Sequence, residues 1–177
     1  MKRNILLILL AMLSLCLSSL ISCGGTKAVI MDEGKSIDFK QFKTVKLVIS
    51  DEVNNDYSKG AIPLFDGLLK AKLVSMGFQT VEEDPQLLIE LAIIRAQPGN
   101  KALRMLVGFG TGEVRIGHKT TFKKADGGFL AEFSGWEGQF MKEQIQWDSD
   151  RLRLELVMVC VDKIAKFIRT GKGNERE

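Results

Sequence analysis

The spacing of hydrophobic residues changes along this chain, and that change constrains the fold more than any other feature. From Glu113 to Lys123 the pattern alternates. Val114, Ile116, Thr120 and Phe122 share one face with His118, while Glu113, Arg115, Lys119 and Lys123 take the other. This is the two-residue period of a strand with one face on a core. Asp126-Gly127-Gly128 is a hairpin turn signal, and Phe129 to Phe140 completes the hairpin with Phe129, Ala131 and Phe133 on one face. Thr44 to Ser50 (TVKLVIS) and Gln86 to Ala96 (QLLIELAIIRA) are β-branched and apolar, and both predict strands. In the second, Leu87, Ile89, Leu91 and Ile93 oppose Leu88, Glu90, Ala92 and Ile94, so both faces are expected to be covered and the strand to be internal. Phe78 to Val81 reads as a short strand, ended by Asp84-Pro85.

Two stretches have a helical period instead. Ile62, Phe65, Leu68, Leu69, Leu73 and Met76 predict a helix over 60–76, with Asp51 to Ser58 as a polar loop before it, Pro63 in its first turn and Gly77 at its stop. Leu152, Leu156, Val159, Cys160, Lys163 and Phe167 predict a second helix, capped by Asp148 or Ser149 and ended by Gly171. The expected order is β-α-β-β-β-β-α: a two-layer α+β domain with a mixed β-sheet and two amphipathic helices.

The N-terminus carries an address. Lys2 and Arg3 precede an apolar run from Ile5 to Leu17, and Leu20-Ile21-Ser22-Cys23 follows. The stretch from Ile5 to Ile21 is 17 residues, contains Ser14, Ser18 and Ser19, and has the dimensions of an export signal rather than of a comfortable membrane span. It resembles the lipobox of bacterial lipoproteins, with cleavage after Ser22 and lipid (palmitate-type acyl chains) on Cys23. The residue after the cysteine is Gly24, not the aspartate that retains Gram-negative lipoproteins at the inner membrane. That resemblance implies the periplasmic face of the outer membrane. The expected organisation is a signal peptide at 1–22, a lipidated tether at 23–42, one domain at 43–170 and a frayed tail at 171–177.

Composition fits one folded domain: 45% of residues are hydrophobic and 27% charged. The formal charge is +3, of which Lys2 and Arg3 supply two. A nearly neutral domain without a basic run is poorly suited to nucleic acid. With Cys16 in the signal and Cys23 lipidated, Cys160 is left as a lone thiol, so no internal disulfide is expected.

Candidate chemistry is sparse. Gly108, Gly110 and Gly112 lead into a strand, whereas a phosphate cradle needs a helix N-terminus after its glycines. His118 is the sole histidine and lies on an apolar face, and Cys160 lies on an apolar helix stripe. Neither has the spacing of a metal or nucleophile set, so no catalytic residue, metal or cofactor is expected. Trp136 and Trp147 flank the hairpin exit, as core-edge caps or as partner anchors. The apolar run from Ala102 to Phe109 lies in a long loop. It either folds back on the core or makes a contact, and Arg104, Met105, Leu106, Val107 and Phe109 are the candidate contact residues.

Ala96-Gln97-Pro98-Gly99, Leu103 to Gly112 and the Asp126-Gly127-Gly128 turn resemble an uncharacterised family of bacterial lipoproteins known as a domain of unknown function. The domain is also distantly similar to the curli-secretion channel lipoprotein and to the N-terminal domain of the Tol-system propeller protein. These resemblances imply a non-enzymatic, lipid-anchored envelope protein acting through protein contacts in envelope assembly, transport or secretion, with an envelope partner or a homo-oligomer. The alternatives are a ring-forming subunit of an outer-membrane secretion channel and a nucleotide- or small-ligand-binding protein.

Overall fold

The computed structural model describes residues 25–30, 36–99, 113–139 and 149–172. In chain order these form β1 (Gly25–Ile30), a 3-10 turn (Phe39–Gln41), β2 (Thr44–Asp51), α1 (Asp56–Ser75), β3 (Gln79–Thr80), β4 (Leu87–Gln97), β5 (Val114–Lys124), β6 (Phe129–Gln139) and α2 (Ser149–Thr170). One six-stranded sheet has the order β1-β6-β5-β4-β2-β3. The pairs β2–β3 and β2–β4 are parallel, and β4–β5, β5–β6 and β1–β6 are antiparallel. The fold is therefore α+β with a mixed sheet, and the expected elements appear in their expected order, with boundaries shifted by a residue or so except at the start of α1.

Three differences have physical causes. The first is an additional strand: β1 lies within the stretch read as a tether and pairs along β6 from Gly25↔Trp136 to Ile30↔Ala131. The second is the start of α1. The helix begins at Asp56 because Asn55 and Ser58 form a capping box, each side chain bonded to the other's backbone N–H (2.7 and 3.0 Å). Residues that look like loop in the sequence are the cap. As a result Pro63 sits in the helix interior rather than its first turn. Its missing N–H falls opposite Lys59, and both residues are exposed, so water can serve the Lys59 carbonyl.

The third difference concerns β4. The strand is internal, between β2 and β5, yet only one of its faces is fully buried. Leu87, Ile89, Leu91 and Ile93 are all within 1% of fully buried, under α1. On the opposite face Leu88 and Glu90 are half-buried and Ile94 is 43% exposed. Both helices lie on the same side: α1 against β2 and β4, α2 against β5 and β6, and the two against each other. Among the described residues the other face of the sheet carries no helix.

The core fills the space between sheet and helices. Phe65, Leu69 and Leu73 of α1 meet the buried residues of β2 and β4, and Leu156, Cys160, Ile164 and Phe167 of α2 cover β5 and β6. Phe39, Phe122, Phe133 and Phe167 form an aromatic knot with centroids 5.0–5.7 Å apart. Val159, expected on the buried stripe of α2, is 42% exposed. At the end of α2, Gly171 has φ +61° and its N–H bonds to the Phe167 carbonyl (2.8 Å). A Cβ there would lie 1.9 Å from the Ile37 carbonyl oxygen, so both the turn and the close approach require glycine. No described helix is long and apolar enough to cross a membrane.

Candidate functional site

The residues expected to carry the function, Ser22, Cys23, Arg104, Met105, Leu106, Val107 and Phe109, lie outside the described residues, as do the glycines at 108, 110 and 112 and Trp147. The interior chemistry can be placed. His118 projects from β5 into the core, 1% exposed, against the rings of Phe65 and Phe133 (6.2 and 5.8 Å). Its Nδ1 shares a hydrogen bond with the Thr120 hydroxyl (3.0 Å). Desolvation, reinforced by the Lys163 ammonium, pushes its pKa down to about 3, so the ring is neutral and packed. Cys160 is buried, and loss of solvation, with the Glu137 carboxylate nearby, pushes its thiol up, away from a reactive thiolate. Lys163 of α2 pairs with the buried Glu137 of β6. Among the described residues no three His, Cys, Asp or Glu side chains converge on a common point.

A polar network sits where β2 hands over to α1. One oxygen of Asp51 accepts from the Val53 and Asn54 amides (both 2.9 Å), and the other accepts from the Ser58 hydroxyl (2.7 Å). Burial opposes ionisation, but these donors together hold the Asp51 carboxyl below its ordinary value. Asn55 reaches across to donate to the Ala96 carbonyl (2.9 Å). Above it Arg153 lies over the ring of Tyr57 (4.5 Å) and pairs with Asp150 (2.6 Å). Burial raises the Tyr57 hydroxyl to about 12, against the pull of Arg153. Asp51, Asn55 and Ser58 finish a helix N-terminus or a turn, which is a structural use.

The open face of the sheet is different. Between Ile93 and Arg95 the β4–β5 register shifts. This bulge keeps Ile93 and Ala96 in the core and turns both Ile94 and Arg95 outward. One row then runs across four strands: Arg95 beside Gly117, Gly117 beside Trp136, and Trp136 beside Gly25. Gly117 gives that row room, because a Cβ there would lie 3.1 Å from the Cβ of Arg95 and 3.3 Å from that of Trp136, and both neighbours would have to give by a few tenths of an ångström. Arg115, one step along β5's outward face, lies over the half-buried Trp136 ring (5.5 Å). It also holds Glu113 through Nε (2.7 Å) and Nη2 (2.6 Å). Lys119 lies on the other side of the row, so this corner of the face carries Arg95, Arg115 and Lys119. Further along the same face stand Glu132, Glu90 and Lys123, the last two paired (2.6 Å).

Trp136 was visible in the sequence as an anchor candidate. Its partners were not, because a bulge leaves no mark in an alternating pattern except two outward neighbours, and Ile94 hides one of them.

Residues 44–138 match the profile of a family described as a domain of unknown function (DUF4410). The chain belongs to that family. The DUF4410 region begins with β2 and ends inside β6, leaving β1 and α2 outside it. No curated protein sequence matches the chain. In fold it is similar to a variant of PelC from Paraburkholderia phytofirmans, solved as a dodecamer. That alignment has a TM-score of 0.50 at 10% identity and covers 77% of this chain and 93% of that one. A second crystal form of the PelC dodecamer aligns with a TM-score of 0.47 at 11% identity, covering 77% and 94%. A PDZ domain protein from Parabacteroides distasonis aligns with a TM-score of 0.42 at 12% identity, covering 82% and 37%. At these identities the likeness is one of fold.

Proposed function

We propose that this DUF4410 protein is a lipid-anchored envelope protein, held at the periplasmic face of the outer membrane through Cys23, that works in envelope assembly, transport or secretion as a subunit of a homo-oligomer and performs no catalysis. The anchor is supported by the basic start, the apolar run and the Leu20-Ile21-Ser22-Cys23 box. A non-catalytic role is supported by an interior whose histidine is neutral and packed and whose thiol is buried and protonated. The assembly reading is carried by one observation: the fold is shared with PelC, which is a dodecamer, over 93% of the PelC chain. Homo-oligomers of soluble domains generally close by symmetry, so a single defined size is the natural expectation.

The test is the mass of the full-length protein in mild detergent, by size exclusion with light scattering, beside the variant Cys23→Ala. One closed multimer in both forms is expected, because the contacts lie in the domain. A monomer in both forms at every concentration overturns the assembly reading. Failure of Cys23→Ala to leave the membrane fraction overturns the anchor.

A further inference from the structure

We infer that the Trp136–Arg95–Arg115 corner of the open sheet face lies against the lipid headgroups of the membrane that holds Cys23. The inference rests on the lipoprotein reading above and adds an orientation to it. Its starting point is the register of β1. Gly25 stands beside Trp136, and Cys23 is two residues earlier. An extended chain covers no more than about 3.6 Å per residue, so covalent reach alone keeps the two Cα atoms within roughly 7 Å. Acyl chains on Cys23 therefore bring the bilayer surface close to this corner of the domain.

The residues waiting there have the chemistry of a headgroup contact. Trp136 presents a half-buried indole, and tryptophan partitions to the water–lipid boundary because one end is apolar and the other wet. Arg95, Arg115 and Lys119 surround it, and among the described residues only Arg115 is tied to a carboxylate, Glu113. Cationic side chains near a lipid surface are drawn to its phosphates. Ile94, 43% exposed, adds an apolar side chain beside Arg95. Apart from Glu113, the acidic residues of this face fall elsewhere. Glu90 and Glu132 lie further along the same face, while Glu52 and Asp56 lie on the β2 side, which is three strand spacings, about 14 Å, from β6. The charge pattern thus selects the corner nearest the anchor as the one that meets phosphate.

The probe is the full-length lipidated protein in vesicles of phosphatidylethanolamine and phosphatidylglycerol that carry a nitroxide at the headgroup. Trp136 and Trp147 are the two tryptophans of the chain, so the difference between wild type and Trp136→Phe isolates the Trp136 signal. Headgroup nitroxide is expected to quench that signal, and a nitroxide at the acyl-chain terminus to leave it largely intact. The double variant Arg95→Glu, Lys119→Glu keeps Trp136 and alters only outward side chains. It is expected to lose much of the quenching with an unchanged circular dichroism melt, and it carries the test if Trp136→Phe does not fold. A protein whose mass shows lipid on Cys23 but whose Trp136 is unquenched overturns the orientation alone. A Cys23 without lipid overturns the orientation together with the reading beneath it.

Discussion

His118 shows how a single side chain sets a pH dependence without taking part in chemistry. Its folded-state value of about 3 lies below the ordinary 6.5, so between those limits the unfolded chain takes up a proton that the folded chain refuses. Stability is full above pH 6.5 and falls as the pH drops, by about 1.4 kcal/mol per unit. Urea unfolding at pH 7.5, 6 and 5 should show stability falling ever more steeply towards that slope, and His118→Leu should flatten it. Asp51 acts in a separate window: its value is depressed from 3.8, so its contribution is present above that pH and is lost only below it. Gly171 carries a different load. Any side chain there meets both the positive φ and the Ile37 carbonyl, and Gly171→Ala should cost at least about 1–3 kcal/mol, read as a lowered thermal midpoint. Cys160, buried under α2, should stay unlabelled by maleimide until the protein unfolds.

At the scale of elements, α1 has a strong start and a weak middle. Asn55→Ala removes a cap and the bond to the Ala96 carbonyl, and chemical denaturation should register a loss of about 1–2 kcal/mol. Pro63→Ala works the other way: it restores a donor on an exposed side of the helix and should stabilise by about 1–3 kcal/mol in the same measurement. Most of these elements were legible in the sequence, because β5, β6 and the stripes of both helices express their burial in a regular period. The exceptions share a cause. The sequence of β1, GTKAVI, is short and has no partner nearby in the chain; its ladder is built with β6, about a hundred residues later. The four residues before Lys59 look polar and irregular because they are spent on capping, and capping is recognised only when both ends of the reciprocal bond are seen.

For the whole molecule, the sequence placed the functional weight on Cys23 and on the run Arg104–Phe109, and none of these lies among the described residues. The corner around Trp136 emerges only when four strands are laid side by side, since Arg95, Gly117 and Trp136 are far apart in the chain. The same register has a mechanical consequence. A load applied at Cys23 enters the domain at Gly25 and is passed to β6 through the six residue pairs of β1. Pulled along the strand, those pairs share the force in shear; pulled across it, they open one at a time from Gly25↔Trp136. The direction in which a partner tugs on this protein therefore decides whether its first strand holds or peels.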